Sequence, residues 1–350
     1  VLAEVRPHNE GLPPLENRKP QSWQVLKRSR PVHPVGARLA SHWKAWKDLG
    51  ASDWVVSVLR WGYALEFIQE PPLSTTPTVN SLRRDKAKNE IIWQQVELLL
   101  QKGALEEVED QSSPGFYSLL FVVPKKNGKW RPIIDLSILN VFLQKKSFKM
   151  ETVKSITSLL HKGAWTCSID LTDAYFHIPI HKSSRKYLRL QFGKRVFQFK
   201  ALPFGISIAP WLFTKVMASV KLGVNQALLS LFQYIDDWLG EAMARSTCWN
   251  QINDLLKLCV TLGLEVNMEK SELVPKQRFV FIGIVFDLLK GMLYPTPENI
   301  QKIISSVRQF LSLRIWSAKQ WQSLIGVLGS QDRFIPWGRF RLRPIQIHFL

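Results

Sequence analysis

The sequence predicts an α+β fold built on an antiparallel sheet. Three observations carry that expectation. The short apolar strand Cys167-Ser168-Ile169-Asp170 ends on a carboxylate. The run Leu231-Phe232-Gln233-Tyr234-Ile235-Asp236-Asp237-Trp238-Leu239 reads as a β-hairpin with two more carboxylates at its turn. Helical periodicity falls between these segments, giving strand, helices, then strand-turn-strand, with helices packed on one face.

Residues 1–85 form a basic extension rich in Trp and Pro. Arg6-Pro7, Pro13-Pro14 and Pro31-Val32-His33-Pro34 predict an extended or disordered first part. Trp43 and Trp46 lie three apart, on one face of a helix. Stacking on bases is one role for them; packing onto the main domain is the more ordinary one. Glu70-Pro71-Pro72 through Pro77 closes the region.

A helix is predicted over Glu90 to Lys102, with Gly103 as its C-cap. A strand over Phe116 to Val123 and a return strand over Trp130 to Asp135 flank Asn127-Gly128, a strong hairpin signal. Lysines 125, 126 and 129 around that turn suit a solvated loop or a triphosphate clamp. Ala164 to Asp170 is the first acid-bearing strand. Tyr187 to Phe199 is a second hairpin turning at Gly193-Lys194. Helices follow over Ala209 to Ala218 and Trp249 to Leu262. Phe279 to Phe286 reads as one buried strand. Thr296 with Pro297 starts a helix whose stripe is Ile300, Ile303, Ile304, Val307, Phe310 and Leu311. Ser317 and Gln320 form a capping box for another. Such apolar stripes mean core packing.

Net charge is +19 and the isoelectric point about 9.9, which argues for a polyanionic partner. Between Asp173 and Asp236 there is no acid but nine Lys or Arg. Carboxylates at strand ends inside such a cationic stretch suit Mg²⁺ and polyphosphate. An isolated acidic pair is most often a solvated turn. The apolar flanks and the second acid-bearing strand favour a metal here, because two like charges held together need a cation. No run of about 18 apolar residues exists, so no membrane partner is expected. Three cysteines without ligand spacing argue against a disulfide scaffold or zinc site and make a reducing compartment the default. His177 and His181 flank Ile178-Pro179-Ile180 and read as ordinary polar positions. The first residue is Val, which suggests a piece of a longer polypeptide.

Six motifs in order then resemble the reverse transcriptases. Trp130-Arg131-Pro132-Ile133-Ile134-Asp135-Leu136 with Leu139-Asn140 is similar to their fingers motif. Ser168-Ile169-Asp170-Leu171-Thr172-Asp173-Ala174-Tyr175-Phe176 is similar to the first palm motif. Leu202-Pro203-Phe204-Gly205 resembles the next, and Tyr234-Ile235-Asp236-Asp237 the metal-binding box. Asn267-Met268-Glu269-Lys270-Ser271 and Phe281-Ile282-Gly283 resemble the last two. Gly115-Phe116-Tyr117-Ser118, His177-Ile178-Pro179-Ile180 and Asp236-Asp237-Trp238-Leu239 look most like DIRS-type retrotransposons.

The resemblance implies a right-hand polymerase with an antiparallel palm sheet. Fingers would be 86–164 with 182–203, palm 165–288, and thumb or connection-like helices 289–350. It implies an RNA-directed DNA polymerase adding dNTPs to a primer 3′-hydroxyl by a two-metal-ion mechanism. Asp170, Asp236 and Asp237 would be catalytic and hold two Mg²⁺ ions, or Mn²⁺, with the Leu171 backbone carbonyl. Lys126, Arg131, Asp173, Ala174, Tyr175 and Phe204 would bind dNTP, with Tyr175 as steric gate. Lys270 would be a general acid, and Phe281, Ile282 and Gly283 the primer grip. The partners implied are an RNA template, a DNA primer or RNA–DNA hybrid, and dNTPs. An RNase H domain follows the polymerase in such elements, so no RNase H activity is expected of this chain. The compartment expected is cytoplasm or nucleus. Phe204 stands where retroviral enzymes have Gln, and Ser137 where they have Arg. The alternative is a catalytically silent nucleic-acid-binding protein that retains the fold. An RNA-dependent RNA polymerase is disfavoured by Tyr175.

Overall fold

The structure, a computed structural model, describes residues 3–4, 34–76, 86–124, 128, 130–313, 315–335 and 337–349. Helices α1 (Trp43–Asp48) and α2 (Asp53–Trp61) come first. The Ser52 hydroxyl caps α2 by accepting from Val55 N–H. Trp46 is fully buried and donates its indole N–H to Leu262 O at 2.9 Å. The segment around it shares one hydrophobic core with the rest of the chain. Packing is therefore what Trp46 does, whereas Trp61 stays exposed. Before Pro34, Ala3 and Glu4 pair in parallel with His161 and Lys162, and the rest of the stretch expected to be extended or disordered lies outside the described residues.

Helix α3 (Lys86–Gln101) ends before Gly103, which supplies the positive φ of +65° that a C-terminal reversal needs. Strand β1 (Leu105–Glu107) follows, then the hairpin β2 (Leu120–Pro124) and β3 (Trp130–Ile134). Strand β2 starts later than expected, because Tyr117 forms only an isolated bridge to Arg189. Short helices α4 (Ser137–Phe142) and α5 (Val153–Leu159) lead to β4 (Trp165–Asp170). The hairpin β5 (Arg189–Phe192) and β6 (Arg195–Phe199) turns at Gly193-Lys194, and β6 also pairs with β1.

Helix α6 (Ala209–Met217) precedes β7 (Ser230–Tyr234) and β8 (Asp237–Ala242). Helix α7 (Arg245–Thr261) then crosses the sheet, and β9 (Glu272–Lys276) completes it in the order β9-β4-β8-β7, all antiparallel. Trp238 on β8 is fully buried beneath this sheet. Burial of such a side chain is worth about 1.5–3 kcal/mol.

The expected single strand over Phe279 to Phe286 is instead a hairpin. Strands β10 (Arg278–Phe281) and β11 (Ile284–Asp287) pair through a two-residue turn, Ile282-Gly283, and β12 (Met292–Pro295) extends the sheet. Positive φ at both turn residues, +47° and +70°, reverses the chain inside the apolar run. Phe279, Phe281, Ile284 and Phe286 then join Phe232 and Leu239 in a second core.

Helices α8 (Pro297–Leu311), α9 (Ala318–Gly329) and α10 (Gly338–Phe349) end the chain. The Thr296 cap and the Ser317–Gln320 capping box form as expected. The α8 stripe does not reach a deep core: none of its residues is fully buried, and Leu311 is 73% exposed. Phe310 of the stripe packs against Trp316 and Trp321 in a shallow aromatic group.

Candidate active site

Strand pairing brings the three acids together. Asp237 lies opposite Asp170 in the β4–β8 ladder. Tyr234 pairs with Asp237 in the β7–β8 ladder, so Ile235 and Asp236 alone make the turn. Ile235 has φ +54°, as the first residue of such a tight hairpin requires. For a β-branched residue this costs about 1–3 kcal/mol and persists only where surroundings enforce it. Trp238 Nε1 donates to Ile235 O at 3.0 Å, and Leu171 N–H donates to Asp236 O at 2.9 Å.

Asp170 is fixed from the other side. Its N–H donates to Ser271 Oγ at 3.0 Å, and Asn267 N–H donates to its carbonyl at 2.8 Å. Lys270 Nζ stands 3.6 Å from Asp170 Oδ2. Asp170 Oδ1 is buried without a hydrogen-bond partner. A buried carboxylate oxygen left bare is costly unless a cation meets it. Burial raises the Asp170 pKa; Lys270 opposes this and Asp236 adds to it. Asp237 is pushed up to about 6, by burial first and then by Asp236 and Asp170.

Among the described residues no three His, Cys, Asp or Glu side chains already stand in a ligand cage. The fit to a divalent cation rests instead on the bare Asp170 oxygen and on the mutual repulsion of acids fixed by backbone pairing. Both are relieved by positive charge.

Tyr175 stands on the adjoining turn. Asp173, at φ +47°, starts a 3₁₀ turn over Ala174–His177. Lys102 at the end of α3 pairs with Asp173 at 2.7 Å. The Tyr175 ring lies between Phe204 at 4.9 Å and Phe213 at 5.6 Å. Its hydroxyl is pushed up to about 12, by burial first and then by Asp236 and Tyr234, so it senses the carboxylate turn.

His177 is not an ordinary polar position. It is completely buried, and Glu265 N–H donates to its Nε2 at 2.9 Å. The other nitrogen, Nδ1, therefore carries the proton and donates to Ala174 O at 2.9 Å. Burial holds its pKa down at about 4, so the ring is a neutral clamp between the Tyr175 turn and the segment after α7. The apolar neighbours Phe176 and Ile178 were the signal for that burial. Lys102, 71 positions before Asp173, gave no sequence signal.

The remaining predicted residues divide. Leu171 pairs with Val266 beside the acids, and Phe204 is half exposed over Tyr175. Arg131 is exposed on β3. Phe281 ends β10, and Ile282 and Gly283 form the strained β10–β11 turn, where Asn299 Nδ2 donates to Gly283 O at 2.9 Å. Ile282, Asn299, Lys302 and Arg333 help line a cavity of about 470 Å³ between this turn and the last helices. Lys126 lies outside the described residues.

Residues 123–286 match the family described as reverse transcriptase (RNA-dependent DNA polymerase). The chain is 25% identical over 258 residues to a putative enzymatic polyprotein of Cassava vein mosaic virus, covering 72% of this chain and 37% of that protein. It is 22% identical over 297 residues to the enzymatic polyprotein of Figwort mosaic virus (strain DxS), covering 85% and 42%. The chain thus spans less than half the length of these relatives. Among solved structures it is similar to the foamy viral protease-reverse transcriptase in complex with RNA/DNA hybrid. The TM-score is 0.63 at 19% identity, over 91% of this chain and 44% of that one. The fold is therefore a polymerase fold, α+β, and residues 123–286 resemble the reverse transcriptase family.

Proposed function

We propose that this chain is the RNA-directed DNA polymerase of a retrotransposon, of DIRS type, extending a DNA primer on an RNA template with dNTPs. The observation that carries the reading is the meeting of Asp170, Asp236 and Asp237 at one sheet end, with a bare buried oxygen on Asp170. The reverse transcriptase match over the same residues supports it. The retrotransposon affiliation rests on the sequence motifs Gly115-Phe116-Tyr117-Ser118 and Asp236-Asp237-Trp238-Leu239.

Asp170, Asp236, Asp237 and the Leu171 carbonyl would hold two Mg²⁺ ions, or Mn²⁺. Bound there, the metal supplies activation of the primer 3′-hydroxyl and charge neutralisation at the leaving pyrophosphate. The chain's own residues do the rest. Arg131 and Lys126 would grip the triphosphate. The Asp173-Ala174 backbone would receive it, and Lys102 holds that turn in place. Tyr175 and Phe204 would floor the sugar, where a covered ring leaves no room for a 2′-hydroxyl. Lys270, already beside Asp170, would donate a proton to pyrophosphate. The Ile282-Gly283 turn would seat the primer end. Fingers, palm and thumb would follow the boundaries 86–164 with 182–203, 165–288 and 289–350, working in cytoplasm or nucleus.

The test is primer extension on an RNA template with Mg²⁺ and either four dNTPs or four NTPs. DNA synthesis supports the reading. Synthesis only from NTPs supports an RNA polymerase, and binding without extension a silent nucleic-acid-binding protein.

A further inference from the structure

Asn140 lies on α4, half-buried, and both ends of its amide are engaged by one turn. Its Nδ2 donates to Gly205 O at 2.9 Å, and its Oδ1 accepts from Ser207 N–H at 2.8 Å. That turn carries Phe204. Gly205 has φ +95°, and a Cβ built there would meet Ile134 O at 3.3 Å, so the turn sits close on the end of β3. The mount itself is fixed. Asp135 Oδ1 accepts from Ser137 N–H at 3.0 Å and from its hydroxyl at 2.5 Å, which sets the start of α4.

Phe204 is 46% exposed, so little packing holds its outer face. Its inner face meets Tyr175 at 4.9 Å and Phe176 at 5.3 Å. The ring's place over Tyr175 is therefore set by its turn, which the buried Leu202 and Ile206 anchor and which Asn140 pins at Gly205 and Ser207. The amide donates to one backbone group and accepts from the other at the same time. Asp keeps the acceptor and loses the donor; Leu loses both.

We propose that Asn140 is a positioning residue for sugar discrimination: by pinning the Phe204 turn it holds Phe204 against Tyr175 and sets how closely a nucleotide sugar approaches that ring. The inference rests on the polymerase reading and adds a residue that acts through the backbone of the Phe204 turn. A purely structural Asn140 would change stability, yet leave the choice between dNTP and rNTP alone.

The experiment is single-nucleotide primer extension with a dNTP and the matching rNTP. It compares the parent, Asn140→Asp, Asn140→Leu, Phe204→Ala and the double variant Asn140→Leu/Phe204→Ala, with thermal melting of each. Asn140→Leu is expected to lower the dNTP-over-rNTP preference roughly tenfold, the scale of two neutral hydrogen bonds. The shift should fall on KM for dNTP more than on kcat. Asn140→Asp should lie between, and it carries the test if the Leu variant does not fold. The double variant should match Phe204→Ala alone, because the two act in series. A parent-like preference in both Asn140 variants, or effects that multiply in the double variant, overturns the proposal. A parent that incorporates neither nucleotide overturns the polymerase reading and this inference with it.

Discussion

Asp237 stands directly opposite Asp170 across the β4–β8 ladder, two like charges in a position where a sheet ordinarily places complementary ones. Burial and the neighbouring acids together disfavour the ionised Asp237. Asp237→Asn should therefore stabilise the protein at pH 8 by about 1 kcal/mol, discounted for partial exposure. Asp237 has its folded pKa raised from 3.8 to about 6. Its penalty is thus absent below about pH 4 and complete above pH 6. Urea unfolding of parent and variant at pH 8 and pH 4 checks both ends, and the difference should vanish at pH 4.

Magnesium should relieve the same penalty. Titrating Mg²⁺ into the parent should raise its melting temperature, since a ligand at 100 times its Kd contributes about 2.7 kcal/mol. Asp170→Asn should lose most of that rise. An equal rise in both proteins would mean the ion stabilises elsewhere.

His177 gives an opposite pH leg. Its folded pKa of about 4 lies below the ordinary 6.5, so the folded state binds fewer protons between those values. Stability from this group is full above pH 6.5 and falls as pH drops toward 4, by about 3 kcal/mol. His177→Gln should remove that component. Subtracting the variant's pH profile of unfolding free energy from the parent's isolates it from the Asp237 leg.

Ile282 has φ +47° in a two-residue turn before Gly283, where Asn-Gly is the favoured pair. Ile282→Asn should relieve about 1 kcal/mol of backbone strain. It should also weaken primer extension, because the apolar side chain at the turn is lost. Denaturation and primer KM measured on one preparation would expose that trade.

Much of this site was legible in the sequence. Alternation around Asp236-Asp237 gave the hairpin, and the apolar strand before Asp170 gave its partner. Periodicity and capping residues gave α3, α7 and the starts of α8 and α9. The Phe279–Phe286 hairpin was hidden because positive φ at Ile282 contradicts the preference of a β-branched residue. The His177 clamp was hidden because its partner, Glu265 N–H, is a backbone group 88 positions away. The roles of Lys102 and Asn140 likewise depend on long-range pairing that no local pattern encodes. In α8 the stripe was read correctly as a helix face. Its partners are too few for a deep core, and that is a property of the tertiary arrangement alone.

The measurement that tests the central claim most directly is primer extension by the parent beside Asp236→Asn. Each protein would be bound to the same RNA-templated DNA primer, with binding verified by fluorescence anisotropy. The carboxylate account predicts equal binding, extension by the parent, and loss of about 10²-fold or more in rate for the variant, the scale of a lost electrostatic contact at a reacting centre. Equal extension by both proteins would contradict it.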